Sequence, residues 1–99
     1  MILFCVPFIF NHGASFLLQD LAIDSVNAYM YWTTTKTVEC SRFTGEQRFD
    51  YERISGISDD LIAGLTLDLH GGFVYWFALT NADGVQSLKL YRAQLAGTG

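Results

Sequence analysis

One stretch of twelve residues occurs twice in this chain, in the same register and 44 positions apart. Leu21-Ala-Ile-Asp24-Ser-Val-Asn-Ala-Tyr29-Met30-Tyr31-Trp32 returns as Leu65-Thr-Leu-Asp68-Leu-His-Gly-Gly-Phe73-Val74-Tyr75-Trp76. Leu, Asp, Tyr and Trp are identical in the two copies, and Ile23/Leu67, Tyr29/Phe73 and Met30/Val74 exchange like for like. Asp24 to Asp68 and Trp32 to Trp76 span the same distance, so no gap interrupts the window. A fixed period of this size marks a repeat architecture, in which one unit cannot bury its apolar face alone and stacks on its neighbour.

The copies continue past the tryptophan. Val38-Glu-Cys-Ser-Arg-Phe-Thr-Gly45 matches Leu90-Tyr-Arg-Ala-Gln-Leu-Ala-Gly97 at an offset of 52, which leaves eight extra residues in the second copy. The insertion centres on Thr80 to Gln86, where Asn81-Ala-Asp83-Gly84 reads as a loop on an Asp-Gly turn. Within each copy, Leu-x-Leu/Ile-Asp alternates with period two, a turn follows, and Tyr/Phe-x-Tyr-Trp gives a second strand. Thr37 to Phe43 and Ser87 to Leu95 read as third strands ended by Gly45 and Gly97. Arg48 to Ile54, more polar, reads as an outer fourth strand. Asp59 to Ala63 is short enough for one helical turn but reads as the connection into the second copy. Four short strands in about 40–45 residues describe a propeller blade. The expectation is an all-β chain of about two four-stranded antiparallel blades of a β-propeller. Residues 18–60 form the first and residues 61–99 an incomplete second. Residues 1–17 end a preceding blade, or hold a start codon assigned inside a longer reading frame.

Composition agrees with stacking surfaces. Half of the 99 residues are hydrophobic (51%) and only 16% are charged, too apolar for a disordered tail and suited to faces that meet a neighbour. A net charge of -4 with no basic run argues against nucleic acid and against docking on an anionic membrane surface. The apolar run Met1 to Phe10 has about half the ~20 residues of a membrane span. It also lacks the basic start of a signal peptide, and reads better as a buried strand with Pro7 near an edge or bend. Cys5 and Cys40 make no CxxC pair; the sequence allows one disulfide between them without implying it, and they are read as two free or separately paired thiols. Neither His12 nor His70 belongs to a cluster with metal-ligand spacing. No N-x-S/T sequon occurs.

At Leu21-Ala-Ile-Asp24, Tyr31-Trp-Thr-Thr34 and Val38 to Gly45, and again at Leu65 to Asp68, Tyr75-Trp-Phe-Ala78 and Leu90 to Gly97, the chain resembles the YWTD, or low-density-lipoprotein-receptor class B, repeat. Both copies depart from that pattern at the aspartate of its name, where Thr34 and Ala78 stand. The inter-blade hydrogen bonding that the family makes there is therefore in question. Thr37 to Glu46 and Ala63 to Trp76 further resemble the ectodomain of the Ros/sevenless receptor tyrosine kinases. Resemblance to that family implies an extracellular segment of a single-pass membrane receptor. It also implies YWTD propellers beside fibronectin type III domains, neighbouring blades as partners, and an extracellular protein ligand. No Gly-rich phosphate loop, H-R-D or D-F-G motif occurs in these residues, so no kinase catalysis is expected of this segment, and no cofactor or metal.

The repeat positions Asp24, Tyr31, Trp32, Gly45, Asp68, Tyr75, Trp76 and Gly97 are read as structural. The aromatics wedge between units, and the aspartates accept turn hydrogen bonds. Asp24 and Asp68 sit one unit apart at the same strand end, which does not make an acid–base pair, and no nucleophile, base and orienter stand together. The acidic stretch Asp50, Glu52, Asp59 and Asp60 is read as solvated, His70 as a turn residue, and Cys40 as a small buried side chain. Working surfaces are sought in loops, at Thr80 to Gln86 and Phe49 to Asp60. The alternative readings are an enzyme site on a propeller axis, a propeller of a lipoprotein-receptor-like or matrix protein, and a gene fragment without function.

Overall fold

The computed structural model describes residues 19–97. The readings made for residues 1–17, including Cys5, Pro7 and His12, lie outside them. Seven strands follow one another: β1 (Asp20–Asp24), β2 (Tyr29–Thr33), β3 (Thr37–Arg42), β4 (Phe49–Arg53), β5 (Leu61–Asp68), β6 (Phe73–Ala82) and β7 (Val85–Gln94). They form two antiparallel meanders, β1-β2-β3-β4 and β5-β6-β7. The fold is all-β with no helix among the described residues, consistent with a fragment of a β-propeller.

Pairing fixes which side chains share a face, because residues directly opposite in a ladder point the same way. In the first sheet, Leu21 pairs with Trp32 and Ile23 with Met30, and these four cluster on one face. Tyr29 and Tyr31 point the other way with Val38 and Cys40, toward the second sheet. In the second sheet, Leu65 pairs with Trp76 and Leu67 with Val74. These residues, with Ile62, Ala78 and Leu95, meet Tyr29, Tyr31, Val38 and Cys40 in one shared core. The first sheet thus offers its tyrosine face and the second its tryptophan face. The two copies are stacked head to tail, as successive members of a series.

The insertion departs from expectation. Thr80 to Gln86 is no loop: Thr80 pairs with Ser87, Asn81 with Gln86 and Ala82 with Val85. The extra residues lengthen β6 and β7 to ten residues each, against five and six for β2 and β3. A two-residue turn joins them, with positive φ at Asp83 (52°) and Gly84 (76°), the Asp-Gly hairpin whose twist matches the strands. An insertion that carries alternating side chains and a two-residue turn continues the ladder, because its backbone groups then pair with each other.

Gly97 (φ 79°) closes the second copy, as Gly45 (φ 89°) closes the first. A Cβ on Gly97 would stand 3.0 Å from Cε1 of Tyr29, whose hydroxyl is held at 2.7 Å by Gln47. A Cβ on Gly84 would meet open space. Gly84→Ala should therefore cost only the left-handed backbone penalty, about 1 kcal/mol, and Gly97→Ala about 2 kcal/mol, because a fixed ring must also move. Urea midpoints of the two variants check the order. Equal costs would mean that the approach to Tyr29 is not tight.

Candidate functional site

The turns that follow β1 and β5 place the repeated aspartates. Asp24, fully buried, accepts the N–H groups of Val26 (3.0 Å) and Asn27 (3.1 Å) and the side-chain amide of Asn27 (2.8 Å). Asp68, exposed, accepts the N–H of Gly71 at 2.9 Å. A Cβ at Gly71 would collide with that carboxylate, so glycine lets the turn close over its own acceptor. The two carboxylates accept hydrogen bonds within their own turns, at separate strand ends. His70 is an exposed turn residue. Among the described residues, no three His, Cys, Asp or Glu side chains converge for a metal. No helix among them is long and apolar enough to cross a membrane.

The chemistry of the chain concentrates in the seam between the sheets. Tyr31 lies fully buried there, and its hydroxyl accepts the N–H of Ala96 at 2.8 Å. Tyr51 enters from β4, its ring 6.0 Å from Tyr31 and 5.9 Å from Trp76. Its hydroxyl donates to the carbonyl of Gln94 at 2.7 Å. A register shift brings it there. Val38 pairs with Glu52 and Glu39 with Asp50, so Tyr51 is the extra residue of a β-bulge, a device that re-aims a side chain. The polar pattern of Arg48 to Ile54 implies an edge strand and gives Tyr51 no place in the core. The one available signal was an aromatic residue inside an otherwise charged strand.

Polar groups fasten the seam at its rim. Asp20 accepts the N–H of Leu65 at 3.0 Å, and the carbonyl of Thr35 accepts that of Ile62 at 2.7 Å. Thr34 turns inward on its own hairpin. Its hydroxyl accepts the N–H of Thr37 at 3.0 Å and lies 2.7 Å from the Thr37 hydroxyl. Ala78 lies in the shared core. Behind the first sheet, buried Glu39 takes the Arg48 guanidinium through Nη2 (2.6 Å) and Nε (3.2 Å) and the Thr37 hydroxyl at 2.7 Å. A buried carboxylate needs such complete pairing, and Arg48 also covers the Trp32 ring at 5.4 Å.

The second sheet keeps one side open. Phe73, Tyr75 and Phe77 hold the ladder positions that Tyr29, Tyr31 and Thr33 hold in the first copy. Tyr31 is fully covered, whereas Phe77 is 40% exposed, and Leu88 and Leu90 beside it are 59% and 58% exposed. Arg92 caps Phe73 at 4.3 Å. Among the described residues, none covers this apolar surface.

No family model matches the chain, and no solved structure matches it. It is 42% identical over 80 residues to the proto-oncogene tyrosine-protein kinase ROS of Gallus gallus, 40% identical over 81 residues to that of Mus musculus, and 37% identical over 81 residues to that of Homo sapiens. These matches cover 81% to 82% of this chain. The similarity supports a Ros-like segment. The chain spans about 3% of the length of the relatives it matches.

Burial in the seam has a readable consequence for titration. Desolvation, with a smaller contribution from Asp50, pushes the Cys40 thiol up to about 12. Desolvation raises Tyr31 and Tyr51 above the ordinary tyrosine value as well. A folded-state value above the unfolded one gives stability that is complete below the unfolded pKa and lost as pH rises. Stability should therefore hold up to about pH 8.5, then fall as unfolded Cys40 ionises, and fall more steeply above about pH 10 as the two tyrosines join. Urea midpoints from pH 7 to 11 check this, and Cys40→Ser should flatten the first part of the decline. The thiolate is the nucleophile, so peptide mapping after iodoacetamide at pH 8 should find Cys40 unlabelled in the folded protein and labelled in urea.

Proposed function

We propose that the chain is a pair of neighbouring YWTD-type β-propeller units from the extracellular part of a Ros/sevenless-like receptor tyrosine kinase. In this reading it is a structural module that helps present a rigid propeller face to an extracellular protein partner. Catalysis belongs to another part of the parent chain, outside the cell's surface layer in which these units stand. The observation that carries the reading is the head-to-tail stack. A series in which each tyrosine face receives the next tryptophan face leaves one apolar face open at its end, and Phe73, Tyr75, Phe77, Leu88 and Leu90 form such a face. Another unit of the same kind would cover it as the second sheet covers Tyr29 and Tyr31. The similarity to ROS proteins supports the choice of parent.

Two experiments test the reading. A transcript read through the locus on both sides of these codons is expected to show further repeat units, a membrane span and a kinase domain. Stop codons closing the frame without them would contradict the receptor assignment. Produced alone, the chain is expected to bind a hydrophobic dye and to self-associate in sedimentation, because exposed apolar faces and long strand edges seek partners. Phe77→Asp with Leu90→Asp should make it monomeric with unchanged β-sheet circular dichroism. A wild-type chain that is monodisperse and melts sharply would show that the face needs no cover.

A further inference from the structure

The turn between β2 and β3 reaches much farther than a hairpin turn needs to. Its backbone catches both ends of the connection 54–60 that leads from the first sheet to the second. The carbonyl of Lys36 accepts the N–H of Ile54 at 2.8 Å, and that of Thr35 accepts the N–H of Ile62 at 2.7 Å. Between these anchors, the Lys36 ammonium donates to the carbonyls of Ser58 and of Asp60, the latter at 2.8 Å. The connection continues the path. The Asp60 carboxylate accepts the N–H of Asn81 at 3.1 Å, and the carbonyl of Asp59 accepts the Asn81 side-chain amide at 3.3 Å. Asn81 stands where the lengthened part of the β6–β7 hairpin begins, and every residue from Asn81 to Arg92 is exposed.

We infer that Lys36 is a latch that sets the β6–β7 hairpin: its ammonium fixes the carbonyls of the connection, and the fixed connection holds Asn81 at the root of the arm. An ammonium suits this place because it offers three donors on a flexible stem and can satisfy two carbonyls at once. Hydrogen bonds from a charged donor are the stronger kind, so one side chain orders a segment that has little apolar burial of its own. The latch acts on the arm and leaves the sheets alone, since the seam of Tyr31, Tyr51 and Trp76 is held by other groups. The first unit thereby decides where the exposed apolar arm of the second unit points. This inference does not depend on the parent assigned above.

Peptide-resolved amide hydrogen exchange on the intact protein tests it. Lys36→Met keeps the length of the stem and removes the donors. It should speed exchange at Asn81 to Val85 about tenfold, the scale of one lost charge-assisted hydrogen bond, with exchange in β2 and β3 unchanged. Lys36→Arg should restore the slow exchange. Asp60→Ala breaks the same path further along and should give a similar increase, and the double variant should add nothing, because coupled members of one network are not additive. The inference fails if Lys36→Met leaves the hairpin amides unchanged or speeds β2 and β3 equally. It fails too if the effects of Lys36→Met and Asp60→Ala simply multiply.

Discussion

One apolar seam joins the two sheets of the described residues. A small sheet is stable in water only when its apolar face is packed against something, and these two sheets have four and three strands. Tyr31 and Tyr51 from the first and Trp76 from the second meet at ring separations near 6 Å. The apolar area they remove from water, at roughly 25 cal/mol per Å², is what turns two meanders into one body. The hydroxyls decide the register of that contact. Tyr31 and Tyr51 reach the backbone of Ala96 and Gln94 across the seam, so a slip of the second sheet would break both hydrogen bonds.

Much of this was legible in the residues. The gapless repeat of Leu, Asp, Tyr and Trp located β1, β2, β5 and β6, because alternation of period two and short turn segments are local properties. The glycines ending each copy were legible for the same reason, since a left-handed turn favours one residue type. Three things were not. The β-bulge that turns Tyr51 into the seam is a pairing event between β3 and β4, and no local pattern encodes it. The insertion around Thr80 to Gln86 read as a loop because it is polar, although its Asp-Gly turn was compatible with a longer hairpin. The role of Lys36 depends on carbonyls more than twenty positions away in sequence, and a lone lysine gives no sign of them.

The repeated aspartates and aromatics illustrate why a repeat position and a chemical site differ. Asp24 and Asp68 recur because the same turn recurs and needs an acceptor, and their donors come from the next three residues. Trp32 and Trp76 recur because one face of every unit is apolar. What differs between the copies is more informative about function. Only the second carries the long hairpin, and only its outer face has exposed leucines beside its aromatic row. These differences fall on the lengthened hairpin and the open face, while the turns and the strand alternation repeat.

The central claim is that the two sheets share one core and stand or fall together. Amide exchange at Cys40 in β3 and at Val74 in β6, compared between the wild-type protein and Trp76→Ala, tests it directly. Removing the indole from the seam is predicted to raise exchange at both amides by the same factor, because either sheet opens only when the other does. A first sheet that keeps its wild-type protection while the second loosens would contradict the shared core.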